Sequence, residues 1–383
     1  MRILSITSDP GAGGSSKSLL NLVEGLSALG HDVMIMLPSK GYLSDRLDAM
    51  GIKYTINRFI SLNVWPPVYN LVDAWHFPKR VLILWLFNLL GARNLGRIIK
   101  QWTPDIIHSN NSLISIGYKA SKKFNRKHIW HIREYGDKDF GFRFYPSNRY
   151  RSEILKHTPA ICITHDLFTE YNIANTGQVI YNGVLSENET EYNAVKEDYF
   201  LYVGRITDGK GVTDLIQSFA SYYNNGGRYK LVLVGNYDEK YHERLWTISR
   251  QAGIQSELIN FIGHSDNVKD YMTKAQALIV PSKYEAFGRI TAEAMFYGCL
   301  VLGRNTGGTK EQFDLGLNKT GQEIALRFES IAQLTSQMAN IENMSLKEKE
   351  QYIIPAQIFA KQNFSIEQNI FQTNKFFVRV MNS

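Results

Sequence analysis

Two pairs of charged residues in the second half of the chain could bind a ligand that carries both phosphate and hydroxyl groups. Arg205 and Lys210 are five residues apart, between a predicted strand and a predicted helix, and glycines flank them. Two cations beside the positive end of a helix suit a diphosphate better than a single carboxylate. Glu285 and Glu293 have seven residues between them. A carboxylate beside an anion pocket suits hydroxyl groups rather than phosphate, and sugar hydroxyls are its natural partners.

A strand and a helix are expected to position the two glutamates. The apolar run Ala277–Val280 predicts a buried parallel strand, and the pattern after Gly288 predicts a helix. Glu285 is therefore expected in the strand-to-helix loop, and Glu293 within the helix. An ordinary loop residue and a solvated helix face are the alternative for this pair.

The chain begins with a strand, a glycine-rich turn and a helix, which is typical of a doubly wound α/β domain. The turn is not a P-loop, because Ser16 rather than glycine precedes Lys17. The acidic residue that ends the second strand of dinucleotide-binding domains is also missing. Gly13 and Gly14 could let the backbone approach a ligand closely, and a merely tight turn is the alternative. A second series of predicted strands, glycine-containing turns and helices begins at Tyr199, which predicts a second α/β domain.

Three functional groups, His131, Arg133 and Glu134, fall at the end of another predicted strand. Ligands bind at the strand ends of doubly wound sheets, so this position favours a site over a histidine satisfied in the core. Asp137 and Asp139 match the D-x-D metal motif of another class of sugar transferase. Because a match of two acids is common by chance, no metal site is predicted.

Composition restricts the class of protein. The 383 residues suffice for two domains, and 44% hydrophobic and 21% charged residues are typical of globular proteins. Cys162 and Cys299 are the only cysteines, which excludes a disulfide framework and a four-cysteine zinc site and favours a reducing compartment. Residues 1–185 hold 22 of the 43 Lys and Arg and 13 of the 36 Asp and Glu, so they carry +9 and the remainder −2. The basic half would suit anionic lipid, an anionic acceptor or nucleic acid.

The region 64–100 does not continue the alternation of predicted strands and helices. Its apolar run Val81–Leu90 is too short to span a bilayer, which needs about 20 residues. Cations flank the run on both sides, and tryptophans lie in or near it. We expect a helix or hairpin in peripheral contact with an anionic membrane, and a core helix is the alternative.

Taken together, these features resemble the GT-B glycosyltransferases, specifically the large retaining, family 4-like group that uses nucleotide sugars and carries a glutamate pair separated by seven residues. The resemblance covers nearly the whole chain and is strongest over residues 199–311. The motifs that carry it are Gly204-Arg205…Lys210-Gly211, Glu285-x7-Glu293, Gly307-Gly308…Glu311, the turn at Gly13-Gly14, His131 and Asn182-Gly183-Val184.

This resemblance implies an α/β fold with two Rossmann-like, doubly wound parallel-sheet domains that face a central cleft. Residues 1–185 would form an acceptor-side domain and residues 186–365 a donor-binding domain. Residues 366–383 would form a helix that packs back on the first domain. One departure from the family is that His131 is not followed directly by Asp.

The resemblance also implies roles for individual residues. Arg205 and Lys210 would hold the donor diphosphate, Glu293 the ribose and Glu285 the donor sugar, while His131 would line the reaction centre. The remaining donor-site residues would be Ala286, Phe287 and Gly288 beside sugar and phosphate, Gly13 and Gly14 beside the phosphates, and Gly263 and His264 beside the base. No metal or cofactor is expected, and the donor would be a UDP- or GDP-sugar.

The predicted function is therefore metal-independent, retaining sugar transfer to a glycan or lipid-linked acceptor, in cell-surface polysaccharide or glycolipid assembly. The expected location is the cytoplasm, at the inner face of the cell membrane. A glycoside hydrolase is disfavoured, because eight helical residues would separate Glu285 and Glu293 by about 12 Å, beyond the roughly 5–9.5 Å that such pairs need. A non-catalytic nucleotide or nucleic-acid binding protein is disfavoured because regular aromatic interleaving is missing from the basic half.

Overall fold

The computed structural model describes residues 1–173 and 176–383, and the chain divides into two compact units. Met1–Gly183 and Ile366–Ser383 form the first unit, and Val184–Ser365 form the second. Each unit contains one parallel β-sheet with helices, so the predicted pair of doubly wound sheets is confirmed.

The first unit is built around a seven-stranded sheet. Its strands are β1 (Arg2–Ile6), β2 (Asp32–Leu37), β3 (Lys53–Ile56), β4 (Ile106–Ser109), β5 (Lys127–Ile132), β6 (Ala160–Cys162) and β7 (Gln178–Val179). Its first seven helices are α1 (Gly14–Ala28), α2 (Tyr42–Ala49), α3 (Leu71–Trp102), α4 (Ile116–Phe124), α5 (Asp137–Phe140), α6 (Asn148–Lys156) and α7 (His165–Glu170). The strand order β3-β2-β1-β4-β5-β6-β7 places the switch point of the sheet between β1 and β4.

The second unit is built around a six-stranded sheet. Its strands are β8 (Tyr199–Val203), β9 (Lys230–Val234), β10 (Ile259–Gly263), β11 (Ala277–Val280), β12 (Val301–Arg304) and β13 (Leu326–Phe328). Its helices are α8 (Val212–Asn224), α9 (Glu239–Gln251), α10 (Val268–Lys274), α11 (Arg289–Phe296), α12 (Gly307–Thr320), α13 (Ile331–Asn343) and α14 (Leu346–Phe364). The order β10-β9-β8-β11-β12-β13 places the switch point between β8 and β11.

The apolar runs of the central strands are explained by burial on both faces of the sheet. Every residue of β4 and of β11 is buried. In β1 the neighbours Ile3 and Leu4 enter different core clusters, because successive side chains of a strand point to opposite faces. One cluster contains residues of α1 and α2, and the other contains residues of α3 and α4.

The last helix, α15 (Ile366–Asn382), belongs to the first unit and packs on α1. Ile370 lies so close to Gly25 that a Cβ there would be 2.1 Å from the isoleucine side chain. Phe377 is buried, whereas Phe371 and Val378 are exposed. The other buried residues of this helix are Asn369, Thr373, Phe376 and Val380.

Helix α3 is a single element of 32 residues, far longer than the apolar run that marked it in the sequence. By length and composition alone it could cross a membrane. Gly91 is its first buried residue, followed by Leu95, Gly96 and Ile99. The core-helix alternative is therefore wrong for residues 71–90, because burial begins only in the later part of the helix.

Gly211 provides a test of the close packing in the second unit. Its φ is +72°, and a Cβ there would lie 2.0 Å from the carbonyl oxygen of Pro281. We expect Gly211→Ala to lower the free energy of unfolding by clearly more than the about 1–2 kcal/mol that a left-handed conformation alone costs. Gly253→Ala is the matched control, since its φ is +77° with no atom within 4 Å of the added Cβ. Equal losses for the two variants in urea unfolding would contradict the close contact.

Candidate active site

The charged residues singled out in the second unit follow two neighbouring strands. Arg205 and Lys210 come after β8, and Glu285 and Glu293 come after β11. These strands are parallel and hydrogen-bonded to each other, so both pairs start from the carboxyl edge of the sheet at its switch point. Ligands of doubly wound sheets bind at such a point. The predicted placement of Glu285 in a loop and of Glu293 in a helix is confirmed.

A glycine lies at or directly after the end of each of the three strands on one side of the switch point, β8, β9 and β10. Because glycine has no side chain, the backbone is accessible there. Gly204 follows β8, Gly235 follows β9, and Gly263 ends β10. The amide of Gly235 donates to the carbonyl of Gly263 at 2.8 Å, and a Cβ on Gly235 would lie 1.8 Å from the carbonyl oxygen of Gly204. No atom lies within 4 Å of a Cβ built on Gly263, so space is open there. The next residue, His264, is exposed.

Arg205 is exposed just after the end of β8, and its backbone is held by a hydrogen bond from a buried residue of that strand. The buried hydroxyl of Tyr202 donates to the carbonyl oxygen of Arg205 at 2.7 Å. Burial raises the pKa of this tyrosine well above its ordinary value, so the hydroxyl remains a donor at neutral pH. A guanidinium on a fixed backbone at a switch point is well suited to bind an anion.

Lys210 and Glu285 form an ion pair. The ammonium of Lys210 donates to a carboxylate oxygen of Glu285 at 2.7 Å, and both side chains are more than two-thirds covered. The two groups that were expected to bind phosphate and sugar therefore compensate each other's charge. A ligand with a phosphate for Lys210 and a hydroxyl for Glu285 could satisfy both groups together.

The loop from Glu285 to Gly288 is held by the beginning of α12. The amide of Gly308 donates to the carbonyl oxygen of Glu285 at 2.7 Å, and the side-chain amide of Gln312 donates to the carbonyl oxygens of Phe287 and Gly288. A Cβ on Gly308 would lie 2.6 Å from the Cα of Phe287. The glycines at 307 and 308 thus permit the beginning of α12 to approach this loop closely.

Arg289 is a residue of this site whose role the sequence analysis missed. It is the first residue of α11, and its guanidinium lies 3.5 Å from a carboxylate oxygen of Glu293, one helical turn away. The same guanidinium donates to the carbonyl oxygen of Val184 at 3.1 Å. Both side chains of the ion pair are mostly buried, so Arg289 orients Glu293 and balances its charge. The arginine-to-glutamate spacing of four residues in a predicted helix was the available signal.

In the first unit, the glycine-rich turn follows β1 at the switch point of that sheet. Asp9 shapes the turn by accepting a hydrogen bond from the amide of Gly11 at 2.8 Å. Gly13 is the N-cap residue of α1 and Gly14 its first residue, without a side-chain cap and without an acidic residue in the first turn. The backbone amides at this helix start are therefore compatible with the predicted approach to phosphate.

His131 is the next-to-last residue of β5, as expected near the strand end, but it is fully buried. Its Nδ1 is 3.2 Å from Nε2 of His108 and accepts from the guanidinium of Arg133 at 3.3 Å. Burial lowers the pKa of His131 well below its ordinary value, and the neighbouring Arg133 adds to this effect. A neutral, enclosed imidazole orients its neighbours, so the structure gives no direct support to its placement at a reaction centre.

Arg133 is the first residue after β5, and its guanidinium is fixed by side-chain amides. It donates to Asn110 at 2.9 Å and to Asn182 at 2.6 Å, and these asparagines follow β4 and β7. Arg133 thus crosslinks three strand ends of the first unit. Glu134 accepts from the amide and hydroxyl of Ser112, and burial raises its pKa to about 7.

The D-x-D match is a structural turn. The carboxylate of Asp139 accepts from the amides of Tyr135 at 3.0 Å and Gly136 at 2.6 Å, so it caps α5. Within residues 1–173 and 176–383, the side chains form no cluster of three or more His, Cys, Asp or Glu that could hold a metal ion.

Two family models match the chain and together span residues 12–356. The model described as "Glycosyl transferases group 1" matches residues 186–356, which include all four charged residues of the second-unit site. The model described as "Glycosyltransferase Family 4" matches residues 12–187. The two matches meet close to the point at which the structure divides the chain into units.

Curated relatives and solved structures are similar over most of the chain. The capsular polysaccharide biosynthesis glycosyltransferase CapH of Staphylococcus aureus is 25% identical over 284 residues, 70% of each chain. An uncharacterized 42.6 kDa protein in the cps region of Klebsiella pneumoniae is 24% identical and covers 78% of this chain and 83% of its own. The crystal structure of Anabaena Alr3699/HepE in complex with UDP-glucose has a TM-score of 0.76 and 17% identity, covering 99% of this chain and all of that one. The last likeness shows the GT-B fold.

The buried histidines of the first unit predict acid lability. Burial lowers the pKa of His108 and of His128 to about 3. As the pH falls below about 6.5 the unfolded chain takes up protons that the folded chain does not, so stability is lost between about pH 6.5 and 3. We expect each histidine to lower the free energy of unfolding by about 2 kcal/mol between about pH 7.5 and pH 5, measured by urea unfolding.

The substitution His128→Gln should remove one histidine's share of this pH dependence, because glutamine does not titrate. His157→Gln is the matched control, since that histidine is exposed. The assignment is contradicted if His128→Gln retains the full loss of stability between the two pH values.

Proposed function

This chain belongs to the GT-B glycosyltransferases of the group 1, family 4-like type, and from that premise we propose that it transfers a sugar from a nucleotide sugar to a glycan or lipid-linked acceptor. We assign the reaction to capsular or other cell-surface polysaccharide assembly. The similarity to a capsular polysaccharide glycosyltransferase and to a protein of a cps region supports this assignment.

One observation carries the proposal. An arginine, a lysine and two glutamates follow the neighbouring strands β8 and β11 at the switch point of the second unit. Arg205 and Lys210 would bind the diphosphate of the donor. Glu285 would bind hydroxyl groups of the donor sugar, and Glu293, oriented by Arg289, would bind the ribose. Each of these contacts pairs a charged side chain with a ligand group of suitable chemistry.

Departure of a nucleoside diphosphate places negative charge on the leaving phosphate in the transition state. Arg205 would stabilise this charge with its guanidinium, and Tyr202 holds the backbone from which that side chain extends. When the donor binds, Lys210 would pair with phosphate instead of with Glu285. The carboxylate of Glu285 would then accept hydrogen bonds from sugar hydroxyls. In this proposal no metal ion is required.

We further propose that the configuration of the sugar is retained. The acceptor oxygen would attack the face from which the phosphate leaves, and the leaving phosphate oxygen would take the acceptor proton. The low pKa of the buried His131 supports this assignment, because a neutral imidazole that is enclosed in the core is poorly placed to exchange protons with a substrate.

UDP-sugars are the first donors to examine, followed by GDP-sugars, because a structural neighbour is described in complex with UDP-glucose. The open space beside Gly263 and the exposed His264 would receive the base. We place the reaction in the cytoplasm, at the inner face of the cell membrane. The two cysteines are buried free thiols, as is usual in a reducing compartment.

The first test is a panel of UDP- and GDP-sugars with the full-length protein. We expect one nucleotide class to raise the melting temperature, because a ligand that binds only the folded state stabilises it, and we expect slow release of the matching nucleoside diphosphate.

EDTA should not abolish turnover, and NMR of the product should show the anomeric configuration of the donor. Loss of activity that Mn²⁺ restores would contradict the metal-independent reaction. Salt-sensitive RNA binding without any turnover would favour the nucleic-acid alternative instead.

Arg205→Ala should reduce turnover on the order of 10²–10³-fold, the usual effect of removing one group that stabilises a developing negative charge. The melting temperature should change little, because the side chain is exposed. Arg244→Ala, an exposed arginine on α9, is the matched control and should keep full activity. An unchanged rate for Arg205→Ala would remove this residue from the site.

A further inference from the structure

The first five turns of α3, residues 71–90, form an apolar surface that the first unit leaves uncovered. No residue in this range is buried, although Leu71, Trp75 and Trp85 are 89%, 83% and 52% exposed. The further exposed apolar side chains of this surface, which we call the α3 face, are Val72, Leu82, Ile83 and Leu86. An apolar area of this extent on a protein marks a binding surface.

One side of the helix is nevertheless anchored along its length. Phe77 stacks on Trp65, whose amide donates to the carbonyl oxygen of Arg143 at 2.6 Å. Further along, Phe87 packs edge-on against Phe59 with ring centroids 5.3 Å apart. The helix is therefore fixed in its direction, and only its outer side is available to a partner.

These anchors exclude a membrane-spanning arrangement of α3. Residues 71–90 of α3 extend about 30 Å, which is enough to cross the hydrocarbon core of a bilayer. However, both ends of this stretch are attached to the same unit, through Trp65 at one end and the buried Gly91 at the other. A helix attached in this way can lie along a membrane surface but cannot pass through it.

The charges around the α3 face fit an anionic surface. Between Asp48 and Asp105 the only acidic residue is Asp73, and its carboxylate is paired with Arg80 at 3.2 Å. The same interval contains seven Lys and Arg residues: Lys53, Arg58, Lys79, Arg80, Arg93, Arg97 and Lys100. An apolar face with exposed tryptophans and flanking cations is the pattern of a helix in the interface of an anionic bilayer.

We infer that the α3 face is a docking surface for an anionic lipid bilayer, in which α3 lies parallel to the membrane plane with its tryptophans at the head-group level. The bilayer is favoured over a protein partner because seven cations and exposed tryptophans accompany the apolar side chains, and the one acidic residue of this interval, Asp73, is paired with Arg80. The inference rests on the geometry of α3 and is independent of the sugar-transfer reaction.

Flotation of the full-length protein with lipid vesicles tests this inference. We expect it to float with vesicles of phosphatidylcholine and phosphatidylglycerol, more weakly with phosphatidylcholine alone, and less in high salt. The triple variant Leu82→Ser, Trp85→Ser, Leu86→Ser should lose at least about tenfold in partitioning, because it removes three exposed apolar side chains. Its melting temperature and its turnover of a soluble donor should be close to those of the native chain.

The matched control is the triple variant Ile354→Ser, Ile358→Ser, Phe371→Ser, which removes three exposed apolar residues from α14 and α15. It should float like the native protein. Equal loss for both triple variants, or no flotation of the native protein, would overturn the docking surface. So would a native dimer that the α3-face variant disrupts without any vesicle binding, since a second copy would then be the occupant.

The orientation of the helix is tested with the variant Tyr69→Cys. Tyr69 is 84% exposed, whereas Cys162 and Cys299 are buried, so an impermeant maleimide should label only the new thiol. We expect full labelling from outside the vesicles when the protein is bound. Protection of this thiol in sealed vesicles would show a spanning helix and overturn the in-plane arrangement.

Discussion

The close approach of backbone segments to the loop from Pro281 to Gly288 is the constraint on which the second-unit site depends. Gly211, at the beginning of α8, lies against the carbonyl of Pro281, and Gly307 and Gly308, at the beginning of α12, lie against residues 285–287. A side chain at any of these three positions would push the loop away. Their glycines are therefore required for packing, which places Lys210 beside Glu285 and leaves the beginnings of two helices close to the loop.

Charge compensation explains how this site can hold two partly buried glutamates. Lys210 pairs with Glu285, and Arg289 pairs with Glu293, so neither partly buried glutamate is left without a cation. Arg205 remains exposed. In the proposed reaction a donor brings one group for each charge, the diphosphate for the cations and hydroxyls for the carboxylates. Binding then exchanges partners without leaving a buried charge unpaired, which would be costly.

The first unit contributes polar groups of a different kind. His108, His128 and His131 are buried and have lowered pKa values, so they are neutral at physiological pH. Arg133 joins this network to Asn110 and Asn182, and thereby fixes three strand ends relative to one another. Such a network makes the carboxyl edge of the sheet rigid.

Much of this could be read from the sequence, because the features concerned are local. The alternation of apolar runs with glycine-rich turns predicted the two doubly wound sheets. The apolar run before Glu285 and the helical pattern after Gly288 placed one glutamate in a loop and the other in a helix. Close approaches between distant segments could not be read in this way. The pairing of Lys210 with Glu285 joins residues 75 positions apart, and the depth of His131 depends on what covers β5. Helix α3 shows the same division: its sequence permits a core helix or an exposed one, and only the tertiary contacts show that none of residues 71–90 is buried.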